Sequence, residues 1–244
     1  MTGPRTLSDK ARARVAALES GSGEWVPPSP RGACTVILVR DGRSGIETFL
    51  MRRADTMKFA ARMHVFPGGR VDAIDGERAI DLGVDATERK RLAARASVDV
   101  DGLDALYSCA VRELQEEVGV TLGSVDDAGV LHIDVHQLPI VGHMVTPEIE
   151  DRRYDVRFFV AAVASDTHVV TTTTEAVDGF WISPREALAR NSRGDLALLT
   201  PTIIRLQELS AASDVEDFLV QARDFAVLPV MPQPTVLPDG SVRW

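Results

Sequence analysis

The chain has 244 residues, of which 45% are apolar and 26% are charged, and its formal net charge is −9. This length and composition are typical of a soluble globular protein with a sizeable core. The excess of acidic residues argues against a surface for general nucleic-acid or membrane binding. Because neither a signal peptide nor a run of about 18 apolar residues occurs, we predict a cytoplasmic location.

The first half of the chain begins with an amphipathic pattern, for which Ser8 is a suitable helix cap, and continues into a linker rich in Pro, Gly and Ser. Two apolar runs then flank the turn sequence RDGRSG and predict a β-hairpin. The predicted elements are a helix at 7–19, strands at 33–39 and 46–53, an extended segment at 64–71 broken by FPGG, and a charged, alanine-rich helix at 77–96.

The second half alternates strands with helices but shows no regular βαβ rhythm. This mixture predicts an α/β layered domain around a mixed sheet. The predicted strands lie at 130–138, 138–145 and 154–163, the last of them central, and the predicted helices lie at 104–118, 185–190, 201–209 and 214–223. A proline-rich, extended tail ends at Trp244.

The two cysteines of the chain, Cys34 and Cys109, both lie in apolar segments. Neither belongs to a CxxC motif or to a Cys/His spacing of the kind found at metal sites. Free cysteines in such surroundings behave as small apolar side chains. We therefore predict two buried free thiols in a reducing compartment.

The segment VRELQEEVGV places three carboxylates, those of Glu113, Glu116 and Glu117, on one turn of the helix predicted at 104–118. Successive helical residues are about 100° apart, so the three side chains share one arc beside the apolar stripe. Like charges at this spacing repel one another. One interpretation is a solvated surface; the other is a site for Mg²⁺ or Mn²⁺, which prefer oxygen ligands and bridge to substrate phosphates.

RELQEEVG, followed by Val120, resembles the second half of the signature of the Nudix hydrolases, G-x5-E-x7-R-E-U-x-E-E-x-G-U, in which U is aliphatic. FPGGRVDAIDGE resembles the first half, with Gly69 as its leading glycine. Arg112 follows this glycine by 43 residues instead of 14, which indicates an insertion of 29 residues. Three acids compete for the position of the first glutamate: Asp75, Glu77 and Asp104.

Further segments resemble a narrower group, the coenzyme A diphosphatases. In FLMRRADTMKFAARMHVFPGG, Arg53 and FPGG match the element before the signature, whereas Lys58 replaces an arginine and Arg62 replaces a glycine. VTPEIEDRRYDVRFFVA and TEAVDGFWISPREAL resemble the downstream part of a coenzyme A-type branch that also carries a long insertion. The resemblance covers residues 33–190. It implies a Nudix-type α/β/α sandwich around a mixed β-sheet, with an extra N-terminal helix and extra C-terminal helices.

The resemblance also implies a role for each residue of the signature. Nudix hydrolases cleave a nucleoside diphosphate linked to another moiety with the help of divalent metal ions. Glu113 and Glu117 would be metal ligands, and Glu116 a further ligand or an orienting catalytic group. Arg112 would hold these glutamates through its planar guanidinium. The carbonyl of Gly69 would be another metal ligand; alternatively, the FPGG segment is only a turn.

Glu175 lies in a Thr-rich loop, from which several Nudix enzymes supply one more metal-binding or water-activating glutamate. It is either such a catalytic residue or a solvated loop acid, with Glu148 and Glu150 as alternatives for the same task. Basic residues before or within the signature either bind substrate phosphates or have an ordinary surface role. They are Arg53, Lys58, Arg62 and Arg70, with Arg152 and Arg153 as further candidates from a loop.

The insertion, at about 76–104, has Ala/Leu spacing and a capping-type Thr87, which indicate a helix. This helix either leans over the substrate and offers basic groups to a distal phosphate, or it is a surface decoration or a dimer contact. The basic groups are Arg89, Lys90, Arg91 and Arg95. We divide the chain into an N-terminal helix and linker (1–30), the Nudix domain (31–225) and an extended tail (226–244).

From the resemblance we expect a pyrophosphohydrolase that uses Mg²⁺ or Mn²⁺ to cleave coenzyme A or acyl-CoA into adenosine 3',5'-bisphosphate and (acyl-)4'-phosphopantetheine. The alternative substrates are NADH, ADP-ribose, a nucleotide sugar or capped RNA. A non-catalytic nucleotide-binding regulator is the alternative from another class, against which the intact set of Arg112 and three glutamates argues. The expected partner is a small coenzyme A-like nucleotide, with no membrane and no general nucleic acid, and a homodimer is left open.

Overall fold

The computed structural model describes residues 8–57, 60–236 and 242–243. Its helices are α1 (Asp9–Ser20), α2 (Ala73–Glu77), α3 (Ala86–Arg95), α4 (Val100–Val118), α5 (Pro184–Arg193), α6 (Thr200–Leu209) and α7 (Val215–Asp224). Its strands are β1 (Arg31–Gly42), β2 (Gly45–Arg53), β3 (His64–Val65), β4 (Ile80–Asp81), β5 (Ser124–Val125), β6 (Leu131–His132), β7 (Ile140–Val145), β8 (Tyr154–Ala162), β9 (Ala176–Ile182), β10 (Pro229–Val230), β11 (Thr235–Val236) and β12 (Val242–Arg243). Within these ranges, no helix combines the length and the apolar character needed to cross a membrane.

A mixed sheet of seven strands lies at the centre, with the order β10-β7-β8-β1-β2-β3 and with β9 also paired to β2. β1 and β2 form an antiparallel hairpin, and β8 runs parallel to β1 from Arg31↔Tyr154 to Val39↔Ala162. β7 pairs antiparallel with the other edge of β8. The predicted hairpin, the mixed sheet and the central position of the strand at 154–163 are confirmed.

The alternation of side chains along β1 builds one core on each face of the sheet. Cys34, Val36 and Leu38 belong to the core that contains the apolar stripe of α4, whereas Ile37 and Val39 belong to the core that contains residues of α5, α6 and α7. The apolar stripe of each of these helices is therefore buried against the sheet. Because helices cover both faces, the fold is an α/β/α sandwich, as predicted.

The helix predicted at 77–96 is wrong in its extent. After the short α2 and β4, Gly83 takes a positive φ of 66°, and only then does α3 begin. Asp85 is the N-cap of α3, because its side chain accepts a hydrogen bond from the N–H of Thr87 (2.9 Å). A carboxylate at this position satisfies a helix donor that would otherwise lack a partner. Thr87 therefore lies inside the helix and does not cap it.

The strand predicted at 130–138 is also wrong over most of its length, since only β6 forms there. The side chain of Asp134 accepts a hydrogen bond from the N–H of His136 (2.9 Å), and its carbonyl accepts one from the N–H of Gln137 (3.0 Å). Aspartate in such a local arrangement favours a turn over a strand. β6 instead joins β4 and β5 in a separate three-stranded sheet.

Ser8 precedes the N-terminal helix α1, and its side chain caps the first turn as predicted. α1 packs onto the loop between β7 and β8, where Arg14 donates to the carbonyl of Ile149 (2.6 Å) and pairs with Asp151. Trp25 of the linker lies under the guanidinium of Arg14, with 3.7 Å between the guanidinium carbon and the ring centroid. α1 and the linker therefore brace the β7–β8 loop.

Candidate active site

A cavity of about 720 Å³ opens where α4, the turn after β3 and the loop before β9 meet. Most of the residues that the sequence suggested for the site line this cavity: Arg53, Gly69, Arg70, Arg112, Glu113, Glu116, Glu117 and Glu175. They come from segments that are far apart in the chain. The fold of the sheet and α4 therefore brings them to one place.

Arg112 is the centre of the charge network at the base of this cavity. Its Nη1 donates to Glu113 Oε1 (2.8 Å) and to Glu116 Oε2 (3.1 Å), and its Nε and Nη2 donate to the two oxygens of Asp75 (2.9 and 2.8 Å). Nη2 also donates to the carbonyl of Arg70 (3.0 Å). The hydrogen bonds with Asp75 are the main reason why the pKa of Arg112 is raised above its ordinary value. Arg112 thus fixes two glutamates by direct hydrogen bonds.

Of the three acids that compete for the first glutamate position, Asp75 is the one beside Arg112. Its side chain is only 1% exposed, and its Oδ2 also accepts the N–H of Asp72 (2.9 Å) in the capping box of α2. Glu77 is exposed, and Asp104 pairs with Arg89 of the insertion. The geometry therefore favours Asp75 as the acid that matches the family position.

Glu117 is buried, with 8% of the residue exposed, and its Oε2 accepts a hydrogen bond from the N–H of Gly68 (2.8 Å). Burial raises the pKa of Glu117 to about 7; the Gly68 hydrogen bond opposes this rise, and the charges of Glu113 and Glu175 add to it. Burial likewise raises the pKa of Glu113, against the effect of Arg112. The site therefore concentrates negative charge that a bound cation would relieve.

The FPGG turn approaches both β1 and α4 more closely than any side chain would allow. A Cβ on Gly68 would overlap the backbone of Cys34, and a Cβ on Gly69 would overlap the carboxylate of Glu113. The carbonyl of Gly69 accepts the N–H of Cys34 (2.9 Å), so this carbonyl is engaged with β1. Glycine is thus required at position 68 for the contact with β1, whereas a side chain at position 69 would displace the carboxylate of Glu113.

Cys34 and Cys109 lie behind the turn, buried and free, with 3.0 Å between their sulfur atoms. Cys109 also donates to the carbonyl of Arg70 (3.3 Å). The hydrogen bond to Cys34, together with burial, raises the pKa of the Cys109 thiol. The prediction of two buried free thiols is therefore confirmed for their burial and for the absence of a bridge between them.

The Thr-rich loop before β9 is fastened to the end of α4. The N–H of Thr172 donates to the carbonyl of Glu117 (2.8 Å), and its Oγ1 donates to the carbonyl of Glu116. The carbonyl of Glu175 accepts the N–H of Ala54 (2.8 Å), while its side chain is exposed at the rim of the cavity. Thr172 was not among the residues predicted for the site; the run of threonines at 171–174 was its signal in the sequence.

The predicted phosphate-binding residues separate into three groups. Arg53 and Arg70 line the cavity, and the buried Nε of Arg53 has no hydrogen-bond partner among the described residues. Arg62 does not line the cavity; it is exposed and pairs with Asp55 (3.3 Å). Its φ of +65° is typical of glycine, the residue that it replaces in the pattern. Lys58 lies outside the described residues.

Three loop candidates also differ from their predicted roles. Arg153 is buried and donates to the carbonyls of Thr146 (3.0 Å) and Pro28 (3.1 Å), so it stabilises the loop and does not line the cavity. Glu148 and Glu150, the alternatives to Glu175, do not line it either. Arg152 does, and it projects from the loop that α1 braces.

The three glutamates of α4 leave oxygens free for a cation. In the described structure each carboxylate uses one oxygen in a hydrogen bond with Arg112 or Gly68, and the other oxygen has no such partner. Among all the residues that the structure describes, no group of three His, Cys, Asp or Glu side chains is already arranged to hold a metal ion. Carboxylate oxygens suit Mg²⁺ or Mn²⁺, whose remaining ligands are commonly water and substrate phosphates. The donor set therefore fits a divalent cation.

The insertion does not line the cavity, which favours its interpretation as a surface decoration or a dimer contact over the binding of a distal phosphate. Arg95 donates to the carbonyls of Ile140 (3.1 Å), Ala222 (2.8 Å) and Arg223, which fastens α3 to the end of α7. Arg89 pairs with Asp104 inside the insertion. The remaining candidates, Lys90 and Arg91, do not line the cavity, and Arg91 pairs with Glu88 (2.6 Å).

Arg95→Ala is expected to lower the free energy of unfolding by roughly 1–3 kcal/mol, because carbonyls at the end of α7 lose their donor. The kcat and KM of the folded enzyme should not change, since Arg95 does not line the cavity. Denaturant unfolding and steady-state kinetics on the same preparation check both statements. A raised KM with unchanged stability would indicate that the insertion does bind substrate.

Comparisons with known proteins agree with this geometry. A family model described as NUDIX domain matches residues 28–202. A Caenorhabditis elegans protein with the provisional name nudix hydrolase 7 is 26% identical over 233 residues, which are 86% of this chain and 70% of that protein. The crystal structure of a NUDIX hydrolase from Alicyclobacillus acidocaldarius is 26% identical, covers 82% of this chain and 99% of its own, and has a TM-score of 0.65. The chain therefore belongs to the NUDIX domain family and is a Nudix hydrolase of nucleoside diphosphate-linked substrates.

Proposed function

We propose that this hydrolase cleaves the pyrophosphate of coenzyme A or its thioesters with Mg²⁺ or Mn²⁺, and releases adenosine 3',5'-bisphosphate and (acyl-)4'-phosphopantetheine. The observation that carries the proposal is the set of three α4 glutamates held by Arg112 and Gly68 at a cavity that also contains arginines. The choice of coenzyme A is supported by the resemblance of the segment around Arg53 and FPGG to the coenzyme A diphosphatases. The same geometry serves the alternative nucleotide substrates equally well.

The residues at the cavity would have separate roles in the attack of water on the pyrophosphate and in the neutralisation of phosphate charge. A water molecule would attack one phosphorus of the pyrophosphate while the bond from this phosphorus to the bridging oxygen breaks, and the bridging oxygen would leave with the other phosphate. Arg53 and Arg70 would neutralise phosphate charge by hydrogen bonds from their guanidinium groups. Arg112 would keep the glutamates in place. A bound divalent ion would supply positive charge opposite the phosphoryl oxygens.

Glu175 would accept the proton of the attacking water at its carboxylate. This side chain lines the cavity, is exposed, and makes no ion pair with another described residue. Its backbone is fixed on both sides, because its N–H donates to Thr173 Oγ1 (3.1 Å) and its carbonyl accepts from Ala54. A base that is free of other partners and held in position is suited to this task.

Glu175→Gln is expected to lower kcat by about 10² or more with little change in KM, because the amide cannot accept the proton. Steady-state kinetics at saturating metal checks the prediction. Glu150→Gln is the matched control, since Glu150 lies in a loop but outside the cavity and should leave kcat unchanged. A change below twofold for Glu175→Gln would mean that another group activates the water.

The substrate is tested by turnover of coenzyme A, NADH and ADP-ribose, each with Mg²⁺ and with Mn²⁺. The proposal expects the largest kcat/KM for coenzyme A, with adenosine 3',5'-bisphosphate as a product. A larger kcat/KM for NADH or ADP-ribose would support the alternative pyrophosphatase. Binding of these nucleotides without turnover of any of them would support the non-catalytic regulator.

A further inference from the structure

A second cavity, of about 760 Å³, adjoins the candidate active site. Its walls are the linker at 28–30 with Arg31 at the start of β1, Arg70, and the end of the β7–β8 loop with the start of β8 at 151–154. Arg70, Arg152 and Tyr154 line both cavities. A ligand whose diphosphate lies beside the glutamates can therefore extend into the second cavity without leaving the protein surface.

The second cavity carries an unbalanced positive charge in a chain whose net charge is −9. Arg31 and Arg152 are exposed, and neither side chain makes a hydrogen bond or an ion pair with another described residue. The guanidinium of Arg70 has a single ionic partner, Asp72, at 3.5 Å. The acid on this wall, Asp151, is already paired with Arg14 and with a lysine of α1. The guanidinium groups of Arg31 and Arg152 thus remain available to an anion.

Contacts beneath them fix the backbone segments that carry Arg31 and Arg152. The buried guanidinium of Arg153 joins the β7–β8 loop to the linker through the carbonyls of Thr146 and Pro28. The N–H of Arg31 donates to the carbonyl of Arg153 (2.9 Å), so Arg31 begins β1 next to the loop. Arg14 of α1 holds the same loop from behind. A binding surface whose backbone is ordered before the ligand arrives loses less entropy on binding.

We propose that the second cavity binds a phosphomonoester that the substrate carries in addition to its diphosphate, and that Arg31 and Arg152 determine specificity for it. The planar fork of arginine matches phosphate oxygens, and each charge-assisted contact is among the stronger hydrogen bonds in proteins. The assignment of this group to the substrate rests on the function proposed above. Coenzyme A has such a phosphate on its 3'-position, whereas dephospho-coenzyme A does not. The start of β1 and the β7–β8 loop, and not the insertion, then provide the distal phosphate site.

Binding of adenosine 3',5'-bisphosphate and of AMP, measured by calorimetry without metal, tests the site independently of turnover. Repulsion by the glutamates acts on the 5'-phosphate of both ligands and cancels in the ratio of their affinities. The wild-type protein should bind the bisphosphate at least about tenfold more tightly, the scale of one charge-assisted contact. Arg31→Ala and Arg152→Ala should each reduce this preference, and together they should bring the two affinities close to parity. Equal affinities in the wild-type protein would overturn the proposal.

Arg91→Ala is the matched control, because it removes an exposed arginine that lies outside both cavities, and it should leave the preference intact. Competition with inorganic phosphate tests whether the arginines bind the phosphate of the substrate or only a free phosphate ion. If they bind the phosphate of the substrate, inorganic phosphate should compete with the bisphosphate. Tight binding of inorganic phosphate without competition would overturn the link to the substrate.

Turnover of coenzyme A and dephospho-coenzyme A separates this inference from the proposed function. The double variant Arg31→Ala/Arg152→Ala should raise KM for coenzyme A by at least about tenfold and leave KM for dephospho-coenzyme A within about twofold. Equal losses for both substrates would overturn the phosphate site while leaving the hydrolysis of coenzyme A intact. A clear preference for the bisphosphate, combined with no turnover of coenzyme A, would support the phosphate site and overturn the proposed substrate.

Discussion

Glu117→Gln is expected to lower kcat by more than about 100-fold and, in the absence of metal, to stabilise the fold. Activity is lost because the variant lacks a carboxylate that would bind the cation. Substitution of residues that only hydrogen-bond to metal ligands already lowers activity by about 10–100-fold, and removal of a ligand itself should cost at least as much. The gain in stability follows from burial, which raises the pKa of Glu117 to about 7. The amide of glutamine can still accept the hydrogen bond from Gly68, so the contact itself is kept.

The pH dependence of this gain has a definite sign. Because the pKa of Glu117 is higher in the folded than in the unfolded chain, the unfolded chain releases its proton first as the pH rises from about 4.5 to about 7. The wild-type protein therefore loses stability across this window, by up to roughly 3 kcal/mol for a shift of this size. Glu117→Gln lacks that loss, so the difference in free energy of unfolding should grow with pH and level off above about 7.

Denaturant unfolding of both proteins in the presence of a chelator, at several pH values between 4 and 8.5, measures this difference. Glu116→Gln is the control, because its side chain is 60% exposed and burial does not oppose its charge. It should reduce activity without the gain in stability that removal of a buried charge gives to Glu117→Gln. Wild-type turnover by Glu117→Gln at saturating Mg²⁺ would contradict the metal-binding role, and a pH-independent difference in stability would contradict the role of burial.

Arg112→Met is expected to lower the free energy of unfolding by roughly 3–5 kcal/mol at neutral pH, the usual cost of removing one partner from a buried ion pair. The side chain of Arg112 is 17% exposed, and that of Asp75, which it pairs with twice, is 1% exposed. Without the guanidinium, Asp75 and Glu113 face one another as charged groups with little access to water. Activity should also fall, since two glutamates lose the contact that positions them.

Asp75→Asn separates the loss of stability from the loss of activity that Arg112→Met causes. In the double variant Arg112→Met/Asp75→Asn the buried aspartate charge is gone, so part of the lost stability should return, while activity should stay low. Arg112→Lys should not rescue either property fully, because an ammonium group cannot match the several oxygens that the fork contacts. Additive effects of the two single variants in a double-mutant cycle would show that the pair is not coupled in the folded state.

The elements that the sequence predicted well are those set by local spacing. The 3.6-residue period of α4 places its apolar residues in the core and Glu113, Glu116 and Glu117 on one arc, without reference to any other segment. The turn between β1 and β2, and the long apolar run of β8, are equally local signals. The short strands were missed or misjudged because two residues gain a strand conformation only from the strand that they pair with.

The remaining features depend on contacts between residues that are distant in the chain. Spacing alone gives two answers for the first acid, because the distance from Gly69 fits Asp75 whereas the distance to Arg112 fits Asp104. Burial and two hydrogen bonds with Arg112 decide for Asp75. The sequence does not distinguish the roles of the arginines. In the structure, Arg95 and Arg153 donate hydrogen bonds to backbone carbonyls, whereas Arg53 and Arg152 line the cavity.

By itself, therefore, the sequence determined the helix, its charge and the family chemistry, because these follow from residues within one or two turns of each other. Only the tertiary structure decided which acid pairs with Arg112, where the insertion lies and which basic groups remain free. The reason is physical: a charged side chain acquires its role from the partners that burial and packing bring to it, and those partners come from other segments of the chain.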